Sequence, residues 1–163
     1  MRVLGVDPGL VATGYGAVEE RGGRLQVVGV GTLRPTGADL ADRLLALQEM
    51  FRPILAATAP EAVALEELYS HYQHPRTAIL MGHARGVICL EAARQGVPVL
   101  DYSASEVKRA VAGTGRATKE QVGAMVAAQL GGLASAPDEH GSDALALAVC
   151  HLCRHRITLG ARR

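Results

Sequence analysis

The sequence predicts an α/β domain on a mixed five-stranded sheet, three antiparallel strands followed by parallel ones, with helices on both faces. Three observations carry this prediction. Short β-type runs joined by Gly-rich turns open the chain, later β-type runs are separated by long helical patterns, and the closing helix is apolar nearly all round. With 163 residues and 48% hydrophobic content, the chain suits one domain over residues 1–163, its last few residues disordered.

The first three strands are expected at about 2–7, 13–19 and 25–34, punctuated by Pro8-Gly9 and Gly22-Gly23. Leu40, Leu44, Leu47, Phe51 and Ile54 then recur at spacings of three and four, an amphipathic helix that Pro53 should kink or break in its last turn. "AVALE", 62–66, reads as a short buried strand. A second helix runs from Pro75 to Arg94, opened by proline and closed by Gly96 and Pro98. "VPVLDY" is the fifth strand. Ser103 with Glu106, and Thr118 with Gln121, have capping-box spacing and start two more helices. The last helix, from about Asp138 to Arg156, contains "DALALAVCHL" and should be buried.

Composition narrows the classes. No 18-residue uncharged apolar stretch occurs and Met1 leads straight into a strand, so a soluble, cytoplasmic protein with no membrane partner is expected. Three cysteines do not make a disulfide framework. Seventeen basic and sixteen acidic residues leave a formal charge of +1, so a nucleic-acid surface requires charge segregated onto one face. Only two of the basic residues are lysines, Lys108 and Lys119, which points to positions where a compact ammonium serves better than a guanidinium.

Three elements that should be buried carry a carboxylate at one end: Asp7 closes the first strand, Glu66 the fourth, and Asp143 lies at the head of the last helix. Each alone has an ordinary reading, as turn former, exposed acid or helix cap. Together they are harder to dismiss, because neighbouring first and fourth strands would place two acids at one sheet edge. Buried carboxylates require pairing or a metal, and converging ones with few cations suit hard divalent ions.

These residues sit within "GVDPGLVATGYG", "VALEELY", "GHARGV", "SASEVKRAVAGTGRATKEQV" and "HGSDALALAVCH". In this order and spacing the five blocks resemble the RuvC family of Holliday-junction resolvases, over nearly the whole chain. The resemblance implies an RNase H-like fold, a homodimer, and nicking of four-way DNA junctions with two Mg²⁺ or Mn²⁺ per subunit. It places metal ligands at Asp7, Glu66 and Asp143, with a fourth acid three positions before the last. That position is His140 here; on a helix it shares a face with Asp143, so both can converge on one ion. Asp138 and Glu139 are the back-up ligands if the helix starts earlier. Glu67 is a second departure, standing where the family often has an amide.

Tyr69 and Tyr72 bring two of five aromatic residues into one polar loop, oddly placed for a core but suited to stacking on unpaired bases. Tyr69 matches the family's aromatic wedge. Lys108 and Lys119 match its basic positions beside the active centre, and Arg76, Arg85, Arg109 and Arg116 are expected nearby, Arg76 on the DNA. Gly82 and Gly86, four apart, would let another helix approach, and the family's dimer forms through that helix. The family also makes a branch-migration helicase complex a candidate partner. Cys150 and Cys153 read as core packing, since a lone C-x-x-C in an apolar helix lacks a second ligand pair for zinc. The rival readings are a resolvase-like nuclease acting on RNA, a junction-binding module without catalysis, and phosphotransfer of the sugar-kinase type, which needs two lobes where this chain has room for one.

Overall fold

The computed structural model describes residues 1–68, 75–133 and 135–160, leaving aside the side chains of Pro75 and residues 157–160. Five strands, β1 (Arg2–Asp7), β2 (Thr13–Arg21), β3 (Arg24–Leu33), β4 (Ala62–Glu66) and β5 (Val99–Tyr102), form one sheet in the order β3-β2-β1-β4-β5. β1 lies in the middle, antiparallel to β2 and parallel to β4, and β5 extends the parallel half. The expected mixed topology and the pairing of the first and fourth strands are both present.

Helices cover the two faces. α1 (Leu40–Thr58) and α2 (Pro75–Arg94) pack on one side, where Leu4, Val6 and Leu65 meet Leu47, Phe51, Leu55 and Ile88. α3 (Ala104–Ala112), α4 (Lys119–Gln129) and α5 (Glu139–Gly160) pack on the other, where Val3 and Val18 meet Val107, Val126, Leu145 and Val149. Both expected capping boxes form, Ser103 with Glu106 and Thr118 with Gln121. Residues 144 to 150 of α5 are all buried, as an all-round apolar pattern requires.

Pro53 does not break α1, which runs on to Thr58. Phe51 and Leu55, on either side of the proline, are fully buried and pin that turn to the sheet. Beyond it the Thr58 hydroxyl donates to the Ile54 carbonyl at 2.8 Å and Ala59 closes the helix in the left-handed region, φ 42°. Tertiary packing outweighs the loss of one helical donor.

α5 reaches the sheet because the strands beneath it are bare. Gly5 and Gly16 are cross-strand partners and Gly14 lies opposite Asp7. A Cβ at Gly5 would stand 1.9 Å from the Ala144 carbonyl oxygen, and one at Gly14 would stand 2.0 Å from that of His140. This glycine strip sets the helix down with His140 and Asp143 over the end of β1.

Glu91 is a fully buried acid between α1 and α2. Its carboxylate accepts from Gln48 Nε2 at 2.6 Å, Arg94 Nη1 at 2.8 Å and Arg52 Nε at 3.0 Å. The Arg52 bond, then that of Gln48, holds its pKa down to about 2. Glu91→Gln should therefore cost about 1.5–3 kcal/mol of stability at neutral pH. Because the folded pKa lies below the ordinary value of 4.5, this contribution is complete above that value and is lost as pH falls toward 2. Urea melts at pH 7 and pH 2 check it: the gap between wild type and variant should close in acid.

Candidate active site

β1 and β4 run parallel with Val6 beside Leu65, so the next residues, Asp7 and Glu66, end adjacent strands at the same edge. Asp138 fixes where α5 begins, its Oδ1 accepting the Gly141 N–H at 3.0 Å as a helix N-cap does. His140 and Asp143 follow within the first turn and a half. The His140 Nδ1 lies 2.9 Å from Asp7 Oδ2. Nδ1 is thus the ring nitrogen turned toward the carboxylates, and Nε2 lies on the far side of the ring.

The electrostatics are those of crowded acids. Burial, above all, raises the Asp7 pKa; the His140 hydrogen bond opposes this, and the Asp143 charge adds to it. Glu66 is raised by burial first, then by the charges of Asp7 and Asp143. Lys119, at the head of α4, bridges Glu139 at 2.7 Å and Asp143 at 3.1 Å, and these carboxylates push its pKa above the ordinary lysine range.

Among the described residues, no three His, Cys, Asp or Glu side chains already stand in a metal-binding arrangement. The donor set nevertheless fits a hard divalent cation. Three carboxylates and one imidazole come from three elements, and the cost of keeping Asp7 and Glu66 ionised is what a cation would relieve. Lys119 occupies Asp143 as a counterpart that a stronger cation can displace.

The back-up ligands are engaged elsewhere. Asp138 accepts from Thr32 Oγ1 at 2.6 Å and Arg34 Nη2 at 3.1 Å, which ties it to β3, and Glu139 faces Lys119. Lys108 borders a pocket together with Glu66, Lys119 and Asp143. Arg76 is exposed in the first turn of α2. Arg85 is turned inward: it donates to the Glu66 carbonyl at 2.7 Å and pairs with Asp101, bracing β4 and β5. Tyr69 and Tyr72 lie outside the described residues. Cys150 is buried, its thiol pushed up to about 12 chiefly by desolvation, in keeping with core packing.

Two features escape a reading of the motifs. The Glu139–Lys119 contact joins residues twenty apart, and only the i, i+4 spacing of Glu139 and Asp143 hints at it. The glycine strip could have been found from the alternation of Gly14 and Gly16 within a strand, a pattern that weakens a strand unless another backbone approaches it.

A mixed sheet of this order, with acids at the ends of its central strands and a third on a helix laid across them, defines a nuclease of the RNase H-like class. The family model described as crossover junction endodeoxyribonuclease RuvC matches residues 3–151, and the chain belongs to that family. The RuvC of Nitratidesulfovibrio vulgaris strain DP4 is 45% identical over 156 residues, 96% of this chain and 93% of that protein. The Streptomyces coelicolor RuvC is 47% identical over 94% of this chain and 82% of its own length. Among solved structures, T. thermophilus RuvC in complex with Holliday junction substrate superposes with a TM-score of 0.89 at 33% identity, covering 97% of this chain and 96% of that one. No described helix is long and apolar enough to cross a membrane.

Proposed function

We propose that this endonuclease resolves four-way DNA junctions by paired symmetric nicks, with Asp7, Glu66, Asp143 and His140 holding two Mg²⁺ or Mn²⁺ per subunit. The observation that carries the reading is the convergence of Asp7, Glu66 and Asp143 from β1, β4 and α5 on one sheet edge, where each charge disfavours the next. When bound, the ions supply Lewis acidity, making water a nucleophile at neutral pH and neutralising charge on the phosphodiester. The chain supplies position. β1 and β4 fix two half-buried carboxylates at the ends of adjacent strands, α5 brings in the third with the imidazole, and Lys108 and Lys119 offer ammonium groups to the adjoining phosphates.

The resemblance to a RuvC seen with its Holliday junction supports the choice of substrate. A two-fold dimer matches the symmetry of the junction and places one site on each of two opposed strands. On α2, Ile79 and Leu90 are 61% and 50% exposed, and a Cβ added at Gly86 would meet nothing within 4 Å, so an uncovered apolar face is present for that contact. Tyr69 and Tyr72 are proposed to stack on bases unpaired at the crossover.

Incubation with labelled four-way junction, matched duplex and RNA–DNA hybrid, with and without Mg²⁺ or Mn²⁺, tests the proposal. Paired nicks in the junction alone, and only with metal, are expected; preferential cutting of the hybrid would favour an RNA substrate, and binding without cutting a non-catalytic module. His140 makes a second expectation specific to this chain. Imidazole in place of a carboxylate suits Mn²⁺ better than Mg²⁺, so Mn²⁺ should be the better activator and His140→Asp should shift the ratio of Mg²⁺ to Mn²⁺ rates toward Mg²⁺. An unchanged ratio would leave the imidazole off the metal.

A further inference from the structure

His151 and His155 lie one turn apart in the second half of α5, beside the edge strand β5. With Leu100, Tyr102 and Glu106 they border a groove of about 470 Å³. His151 is 7% exposed, and its Nδ1 lies 2.7 Å from the Tyr102 hydroxyl. Nε2, on the far side of the ring, is shielded from solvent and has no hydrogen-bond partner among the described residues. A buried nitrogen left in this way is costly, and nothing inside the fold offsets the cost.

His155 is the second observation. Its ring is nearly parallel to that of His151, 13° apart, and the two centroids are 6.4 Å apart. Two imidazoles on one ion, with each nitrogen about 2.1 Å from it, have centroids at most about 6.5 Å apart. The pair is already within that span, so turning the half-buried His155 ring about its own side-chain bonds is enough to share an ion, and the helix need not move. The tautomer of His151 that donates from Nδ1 to the Tyr102 oxygen leaves a lone pair on Nε2, and a core tolerates an unpaired acceptor better than an unpaired N–H. Burial, above all, and then the charges of His155 and Arg154 lower the His151 pKa, which keeps the ring neutral as a metal ligand must be. The acids of the groove are engaged elsewhere: Glu106 accepts the Ser103 N–H at 3.0 Å and pairs with Arg154, and Asp101 pairs with Arg85.

We infer that His151 and His155 form a second metal site, for a borderline divalent ion such as Zn²⁺ or Ni²⁺, with Tyr102 orienting the His151 ring. The protein donors are two nitrogens, and water completes the shell. Imidazole suits Zn²⁺, Ni²⁺ and Cu²⁺, whereas Mg²⁺ takes oxygen, so this site and the carboxylate centre select different ions. A histidine ligand is held in orientation by a partner on its other nitrogen, and the Tyr102 hydroxyl stands in that place. The site lies about two turns further along α5 than Asp143. An ion held there links successive turns of the helix and stabilises the fold without touching the strand being cut.

The test is a calorimetric titration with Ni²⁺, in excess Mg²⁺, of wild type, His155→Ala and Tyr102→Phe. Thermal melts with and without Ni²⁺, and single-turnover cutting of the four-way junction in Mn²⁺ alone, complete it. Wild type should bind one Ni²⁺ more than His155→Ala, which removes any contribution of the carboxylate centre from the comparison. Tyr102→Phe should keep that extra site with its affinity lowered about tenfold to a hundredfold. Saturating Ni²⁺ should raise the melting temperature of wild type by about 3 °C or more beyond its effect on His155→Ala. Wild type and His155→Ala should cut the junction at the same rate. The inference is overturned if His155→Ala binds as many Ni²⁺ as wild type with the same affinity, or if Tyr102→Phe binds within twofold of wild type. Should Tyr102→Phe fail to fold, the comparison with His155→Ala alone decides. Cutting by His155→Ala more than tenfold slower than wild type would place His155 in the nuclease machinery and overturn the separation of the two sites.

Discussion

Asp7→Asn should abolish cleavage, lowering the rate about a thousandfold or more, while binding of the four-way junction is kept or improved. The magnitude follows from the several kcal/mol that metal ions contribute to the transition state of phosphodiester hydrolysis. Asp7 closes the central strand, and its carboxylate feels both Asp143 and the His140 ring. Asparagine has nearly the same shape and its amide oxygen can still accept the His140 Nδ1 proton, so the fold and the 2.9 Å contact should survive. What goes is one negative charge facing the phosphates, which weakens metal capture and eases the approach of DNA together. Cleavage kinetics and gel shifts on the same preparation check both halves; nicking within tenfold of wild type would remove Asp7 from the metal centre.

Gly14→Ala, whose added methyl would press on the backbone and Cβ of His140 and on no metal-binding atom, should lower cleavage about a hundredfold and cost about 1–3 kcal/mol of stability. The new Cβ would lie 2.0 Å from the His140 carbonyl oxygen, and real contacts of that kind stop near 3.0 Å. Its neighbour is backbone, so no rotamer relieves the clash, and the first turn of α5 must withdraw by about 1 Å. His140 and Asp143 withdraw with it. Gly29→Ala is the control on the same sheet: a Cβ there meets nothing within 4 Å, and activity should be unchanged. Junction cleavage rates and thermal melts of the two variants separate a displaced helix from a general intolerance of substitution.

The strand ends were legible in the sequence because an acid terminating an apolar run is costly and therefore conspicuous. Asp7 and Glu66 stood out, and the short turns between the early strands fixed their antiparallel order. The capping boxes were legible for a similar reason, since each is a local bond between residues three apart. What stayed hidden depends on contacts far apart in the chain. Pro53 argues locally for a break, and only the burial of Phe51 and Leu55 against the sheet overrules it. Among Asp138, Glu139 and His140, the motif spacing cannot show that Asp138 caps α5 and is held by Thr32 on β3 and Arg34 just past it, or that Glu139 pairs with Lys119. Arg85 looked like one more cation near DNA, yet its partners are the Glu66 carbonyl and Asp101. Glycine is ambiguous in a way acids are not: Gly5, Gly14 and Gly16 could each mark a turn, a bulge or a close approach, and the helix above them decides.

The central claim is that Asp7, Glu66, His140 and Asp143 form one metal centre from which Lys119 is displaced. The most direct measurement is the anomalous difference density of a crystal soaked in Mn²⁺. The predicted result is density enclosed by the three carboxylates with a ring nitrogen of His140 as a ligand, and the Lys119 ammonium withdrawn from Asp143. Manganese density at Asp138 instead, or none at the sheet edge with Lys119 still bridging Glu139 and Asp143, would contradict the account.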